Sequence, residues 1–384
     1  MKNYISKTVQ DLPPSGIRAF FDLVLGMPDV ISLGVGEPDF VTPWNICESG
    51  IYALEQGYTS YTSNKGLYKL RLEIQRFLKK KYGLNYNPDT QILITVGVSE
   101  AFDLAVRTII NPNDKILVPQ PSYVSYGPLV MLAGGVPIYL KTDGKKDFKL
   151  TPQLIENNCD DRTKAIILNY PANPTGVSYT KKELEALKKV ILKNKLLCIS
   201  DEVYCELTYD FQHTAFPSLQ GAKKNTIYLN GFSKGYAMTG WRVGYVCAQE
   251  DIIAAMTKIH QYTIMCVPIV SQMAACEALN PATDKSVDQM KQEYRRRRQL
   301  VVDGLNKMGF VCNKPQGTFY VFPSIRKFGL SSLDFASRLL KQQEVAVVPG
   351  TAFGDIGEGY IRISYASSYD NLKEALRRIE RFVK

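Results

Sequence analysis

The chain has 384 residues, 45% of them hydrophobic and 22% charged. That is an ordinary globular balance, with length for two domains or for one large domain and an appendage. No run of eighteen apolar residues occurs, and the opening MKNYISKTVQDLPPSG lacks the apolar centre of a secretory signal, so neither a membrane-spanning helix nor an exported chain is expected.

Eight cysteines with no CxxC pair, and only two histidines, argue against a disulfide framework and against a zinc site. They read as free thiols in a reducing cytoplasm. The formal net charge of +10 admits an anionic substrate or a nucleic acid. The densest basic run, residues 295–298, lies in a long amphipathic helical pattern. Four consecutive arginines point around most of a helix, so they are expected to form a solvated surface with some ion pairs, not a binding face.

In chain order, a Pro- and Gly-rich segment precedes about residue 45. Apolar runs then follow at 91–96 (QILITV), 115–120 (KILVPQ), 165–170 (AIILNY), 196–201 (LLCISD), 226–232 (TIYLNGF) and 241–248 (WRVGYVCA), with helical patterns between several of them. TKKELEALKKVILKN (180–194) repeats its leucines at helical spacing behind a Thr180/Glu183 capping box. This alternation predicts an α/β fold: a large domain over 46–280 with a mostly parallel sheet flanked by helices. From about residue 281 the order becomes a long helix, short strands and closing helices. Residues 281–384, together with 1–45, read as a smaller α+β domain.

Ligands of open parallel sheets bind beyond the carboxyl ends of the strands. After QILITV, Gly97 frees a turn, Ser99 reads as a helix N-cap, and the helix start is a natural phosphate seat. After KILVPQ, PSYVSY offers Tyr123 as a ring for a flat ligand. After AIILNY, PANPTG ends in a turn that places Asn173 at the crevice. After LLCIS, Asp201 closes an apolar strand, where a carboxylate needs a cation or donors, and Tyr204 follows. After TIYLNGF come Ser233 and Lys234. Nearby Arg242 lowers the lysine's proton affinity and offers a planar fork to a phosphate. Pyridoxal phosphate asks for all of these at once: a phosphate seat, a stacked ring, a carboxylate at its ring nitrogen, polar partners at its phenolic oxygen, and an amine at its aldehyde.

With NPTG (173–176), DEVY (201–204) and Ser233-Lys234 followed by Gly240, Arg242 and Gly244, the sequence resembles the class I aminotransferases of the fold-type I pyridoxal-phosphate group, from SLGVGEPDF (32–40) to YIRISYA (360–366). SGIRAFFDLV, TSYTSNKG, MTGWRVGY and KIHQYTIMC bring it nearest to the branch of N-acetyl-diaminopimelate, aromatic and prokaryotic aspartate aminotransferases. The resemblance implies that Lys234 is the Schiff-base lysine and proton shuttle, and that Asp201 partners the pyridinium nitrogen. It implies that Asn173 and Tyr204 meet the phenolic oxygen, that Tyr123 stacks on the ring, and that Val98, Ser99, Ser233 and Arg242 form the phosphate cup. Gly36 and Arg362 fall on substrate contacts, Arg362 on the one that holds the α-carboxylate with its fork. Tyr61 falls on a tyrosine that reaches the phosphate of a neighbouring subunit, which implies a homodimer with shared sites. No metal, nucleic acid or membrane is implied.

The expected reaction moves an amino group from an L-amino acid, of the N-acetyl-diaminopimelate, aromatic or aspartate kind, to a 2-oxo acid such as 2-oxoglutarate. The alternatives are a C–S β-lyase on the same fold and, more distantly, a non-catalytic regulatory module. The latter would carry a helix-turn-helix domain, for which the N-terminal stretch leaves no room. Lys65 and Arg18 are candidates for a second, side-chain-reading cation. Phe20, Tyr320 and Phe322 are candidates for an apolar pocket.

Overall fold

In the computed structural model, which describes residues 4–13, 16 and 29–384, each of the six apolar runs contributes a strand to one sheet. In chain order the strands are β1 (Ile92–Thr95), β2 (Lys115–Gln120), β3 (Val136–Lys141), β4 (Thr163–Asn169), β5 (Leu197–Asp201), β6 (Thr226–Gly231) and β7 (Gly244–Cys247). Across the sheet they run β1-β7-β6-β5-β4-β2-β3. β7 is antiparallel to both its neighbours, and every other neighbouring pair is parallel. β1, β6 and β7 are buried along their whole length, because helices cover both faces and continuous apolar runs suit such strands.

β3 is the strand that the apolar runs did not reveal. It sits at the sheet edge, is largely solvent-facing and contains Pro137, which an edge strand tolerates because no ladder partner is needed on its open side. The last predicted strand also starts later than its apolar run, because Arg242 adopts a left-handed backbone (φ 54°) and 241–243 stay outside the ladder.

The helices that position the site are α1 (Trp44–Glu55), α2 (Gly97–Ile109), α3 (Lys181–Lys193) and α4 (Glu250–Thr263). On one face, Ala101 and Ala105 of α2 pack with Ile116, Ile167 and Ile227. On the other, Leu184, Leu187 and Ile191 of α3 meet Leu117, Ile166 and Cys198. The reciprocal Thr180/Glu183 box caps α3 as the sequence predicted. Among the described residues no helix is long and apolar enough to cross a membrane.

α5 (Asp284–Lys307) leads into α6 (Ser332–Gln343), α7 (Tyr369–Val383) and a three-stranded antiparallel sheet with Ile361–Ser364 at its centre. Ile31–Ser32 pairs in parallel with Val345–Ala346, which joins residues 31–32 to the C-terminal part. These parts share a core of Tyr294, Leu305, Phe319, Phe335, Ile363 and Ile379.

The arginine run corrects an expectation. Arg295 and Arg296 are exposed, but Arg297 and Arg298 are 6% and 1% exposed. Arg298 holds Asp210 with both Nη atoms (2.7 and 2.9 Å) and the Pro315 carbonyl, while Arg297 holds Asp39. A helix packed along most of its girth buries part of any four-residue run, and a carboxylate meets each of these two arginines, as a buried cation requires.

Ile199 lies in the middle of β5 with no exposed surface. Ile199→Ala should cost about 2–5 kcal/mol by opening a cavity, measured by urea unfolding of the cofactor-free protein. A cost below about 1 kcal/mol would contradict this packing.

Candidate active site

A cavity of about 810 Å³ lies where the carboxyl ends of β4, β5 and β6 meet α2 and the Gly36 loop. Its walls carry every residue to which the resemblance gives a cofactor or substrate contact except Tyr61.

At one end, Gly97 turns β1 directly into α2 through a left-handed backbone (φ 71°). A Cβ there would lie 2.6 Å from Arg242 Nη2, so only glycine lets the guanidinium settle against the helix start. Arg242 is fixed by its Nη1 donating to the Thr239 carbonyl at 3.0 Å. Ser99 is not the N-cap: α2 begins at Gly97, its N-cap is Val96, and the Glu100 carboxylate accepts from the Val96 N–H at 2.5 Å. The glycine turn starts the helix early and leaves Ser99 in its first turn. The hydroxyls of Ser99 and Ser233 line the cavity without a side-chain partner among the described residues. First-turn N–H groups, two hydroxyls and an arginine fork make an anion seat.

Lys234 occupies the middle, with Nζ donating to the Gly36 carbonyl at 2.6 Å. Burial lowers its pKa from 10.5 to about 8, with Arg362 and Arg242 adding to the effect and Glu37 and Asp201 opposing it. A far larger neutral fraction is therefore present at pH 7 than for a free lysine. Asp201, at the end of β5, is 5% exposed. Burial raises its pKa to about 6, against the Tyr126 hydroxyl, which donates to Oδ2 at 2.6 Å, and the Val203 N–H, which donates to Oδ1 at 3.2 Å. Tyr126 was missed in the sequence. Its signal is the spacing in PSYVSY, one helical turn after Tyr123, whose ring it meets edge-on at 5.6 Å. Glu37 was missed too. It lines the cavity and accepts from Thr239 Oγ1 at 2.9 Å.

At the other end, Arg362 is 2% exposed. Its Nη1 donates to Asn173 Oδ1 (2.9 Å) and its Nη2 to the Gly34 carbonyl (2.5 Å), while Nε has no partner among the described residues. The guanidinium lies over Tyr320 (4.4 Å to the ring centre) and Phe353 (4.9 Å). Its polar partners are thus an amide and a carbonyl, and no described acid pairs with it. Tyr204 and Tyr320 share a hydroxyl contact at 3.0 Å beside it. A side chain on Gly36 would reach within 2.9 Å of the Tyr320 hydroxyl, which explains the glycine.

The specificity candidates fare differently. Tyr320 lines the cavity. Phe322 does not: it stacks on Tyr360 at 5.3 Å. Lys65 is turned outward, donating to the Asp89 carbonyl at 2.8 Å. Arg18 and Phe20 lie outside the described residues. Tyr61 stands 82% exposed, away from this chain's own cavity.

The family model for aminotransferase class I and II matches residues 28–379. The chain is 50% identical over 383 residues to the YugH protein of Bacillus subtilis (strain 168), covering 100% of this chain and 99% of that one. It is 42% identical over 382 residues to aromatic-amino-acid aminotransferase 2 of Thermococcus litoralis, covering 99% and 98%. The solved aspartate aminotransferase of Thermus thermophilus with maleate superposes at a TM-score of 0.95 and 35% identity, covering 99% of this chain and 100% of that one. With a matching family model and relatives aligned over nearly its whole length, the chain belongs to the class I and II aminotransferases, enzymes that depend on pyridoxal phosphate.

Proposed function

We propose that the cavity holds pyridoxal phosphate between the start of α2 and Lys234, and that Arg362 presents the substrate's α-carbon to the Lys234 amine. The observation that carries this reading is Arg362 itself: a buried cation that, among the described residues, has an unclaimed Nε and no acid partner, in the cavity that Lys234 lines. The residues fit the cofactor. An anion seat, a buried carboxylate and an amine of lowered pKa line one cavity. When bound, pyridoxal phosphate supplies the electron sink that lets the substrate's Cα–H leave as a proton.

The chain's own residues do the rest. Ser99, Ser233, Arg242 and the N–H groups around Val98 grip the phosphate. Asp201 keeps the ring nitrogen protonated, and Tyr126 holds Asp201 ionised, since its hydrogen bond favours the charged carboxylate. Asn173 and Tyr204 meet the phenolic oxygen, and Tyr123 lies against the ring. Arg362 binds the α-carboxylate through its fork while Gly36 leaves room beside it. Lys234, whose charged form burial disfavours, would take the proton from the substrate's Cα and shuttle it onward. We further propose that residues 46–280 form the cofactor domain, and 1–45 with 281–384 the small domain, in line with a core around Phe335 and Ile363 distinct from the two that flank the large sheet.

For the donor side chain, the cavity favours an aromatic ring over a second carboxylate. Among the described lining residues the cations are Lys234, Arg242 and Arg362, each already assigned, and Glu37 adds a negative charge. N-acetyl-diaminopimelate and aspartate remain the rival donors, and 2-oxoglutarate the proposed acceptor.

The assembly is proposed to be a homodimer. Trp44, Tyr52, Leu54, Tyr61, Tyr262 and Met265 are large exposed hydrophobics of α1, the loop after it and the end of α4. Asn64 Nδ2 ties that loop to the Met265 carbonyl at 2.8 Å, which sets the loop beside the end of α4. A second copy covering these residues would bring the partner subunit's Tyr61 to the phosphate seat.

Titrated with a panel of amino acids, the holoenzyme should form 2-oxo acids, fastest from aromatic donors. Pyruvate with ammonia would instead mark a β-lyase, and faster turnover of aspartate would overturn the donor assignment. Arg362→Leu should raise KM about 100-fold or more for every donor, because all share the α-carboxylate. An effect confined to one donor would contradict its role.

Mixing Lys234→Ala with Tyr61→Ala under subunit exchange should restore part of the activity. Each hybrid dimer would contain one site with both defects and one with neither. A mixture that stays inactive despite demonstrated exchange rules out shared sites.

A further inference from the structure

Residues 36–42, GEPDFVT, cross from the cavity to α5, and their contacts fall into two groups. Toward the cavity they are bonded to the segment that follows Lys234. The Gly36 carbonyl accepts from Lys234 Nζ (2.6 Å) and Glu37 Oε2 from Thr239 Oγ1 (2.9 Å). Thr42 Oγ1 donates to the Ala237 carbonyl (2.6 Å) and accepts from Trp241 Nε1 (3.0 Å). Toward α5 the strap is gripped at Asp39 and Phe40. Arg297 Nη1 lies 2.8 Å from both Asp39 oxygens, and the Tyr294 hydroxyl donates to Oδ1 at 3.3 Å. Phe40 meets the Tyr294 ring edge-on at 5.3 Å, with the Arg297 guanidinium 5.1 Å from its own ring centre. Tyr294 and Arg297 stand one turn apart, so one face of α5 makes the whole grip. Arg297 is itself held by Glu293, which accepts from Nε at 2.9 Å.

We propose that Asp39 and Arg297 are a positioning pair that docks residues 36–42 onto the lysine loop and so fixes the Gly36 carbonyl and the Glu37 carboxylate against Lys234. The geometry favours this over mere fastening of the chain start. The pair acts on the stretch that touches Lys234, and Pro38 stiffens the short path between Asp39 and Glu37. Arg297 is 6% exposed and shared between Asp39 and Glu293, so Arg297→Gln leaves Asp39 without its cation and Asp39→Asn leaves Arg297 with Glu293 alone. The strap then loses its hold on α5 while its hydroxyl contacts to the lysine loop remain, weaker and less well aimed. The Glu37 charge opposes the loss of the Lys234 proton, so a strap that drifts also changes the setting in which that amine works.

The inference rests on the proton-carrying role proposed for Lys234, and the test separates the two. In the holoenzyme, Asp39→Asn, Arg297→Gln and the double variant are compared by hydrogen exchange and steady-state kinetics, with Arg295→Gln as an exposed control on the same helix. The positioning role predicts exchange about tenfold faster over both 36–42 and 233–242. It predicts kcat lower by about tenfold or more, with KM for the amino donor within about threefold. The double variant should be no worse than the poorer single one. Asp39→Asn is near-isosteric and carries the test alone if Arg297→Gln does not fold. Faster exchange confined to 284–307, faster exchange with unchanged kcat, or losses that multiply in the double variant would each overturn the proposal. A Lys234→Ala protein that still turns over would overturn the role of that lysine and leave the exchange result standing.

Discussion

The structure depends on burying the Lys234 amine at the carboxyl ends of the sheet. Desolvation disfavours its charge, two arginines disfavour it further, and two carboxylates hold the effect in check, so the amine settles near pH 8. The sign has a thermodynamic consequence. A folded-state pKa below the unfolded one means that the unfolded chain binds the proton more tightly. The folded chain therefore carries the full penalty below about pH 8, and it is relieved as pH rises toward 10.5. A site that tolerates such a cost concentrates it where an amine must act as a base.

The other charges follow from that arrangement. Asp201 is buried yet kept from losing its charge altogether by Tyr126 and the Val203 N–H. Arg362 is buried with no acid among the described residues beside it, and it is met by Asn173, the Gly34 carbonyl and two aromatic faces. Arg242 sits at the opposite end against the α2 start. Two arginines at opposite ends and a lysine between them suit a ligand pair with anionic groups at each end and chemistry in the middle. A phosphate-bearing cofactor joined to an amino acid has that form.

Much of this was legible in the sequence because strand ends are marked by where apolar runs stop. Asn173, Asp201 and Lys234 each follow such a run, and the family's motifs give them roles. Geometry that depends on distant contacts was not legible. Tyr126 is one of 23 tyrosines, and only the fold shows that it reaches Asp201, 75 positions away. Ser99 looked like a cap because serine before an apolar helix usually is one. The positive φ of Gly97 moved the helix start upstream. The arginine run looked solvated because its helix partners, Asp39 and Asp210, lie far off in the chain. The edge strand β3 lacks the continuous apolar pattern by which buried strands announce themselves.

The central claim is that Lys234, among 47 lysines and arginines, is the amine that carries the cofactor. Reducing the pyridoxal-phosphate-loaded protein with borohydride, digesting it and weighing the peptides tests this directly. The account predicts one pyridoxyl-phosphate adduct per chain, on the peptide containing Lys234. An adduct on another lysine, with the Lys234 peptide unmodified, would contradict it.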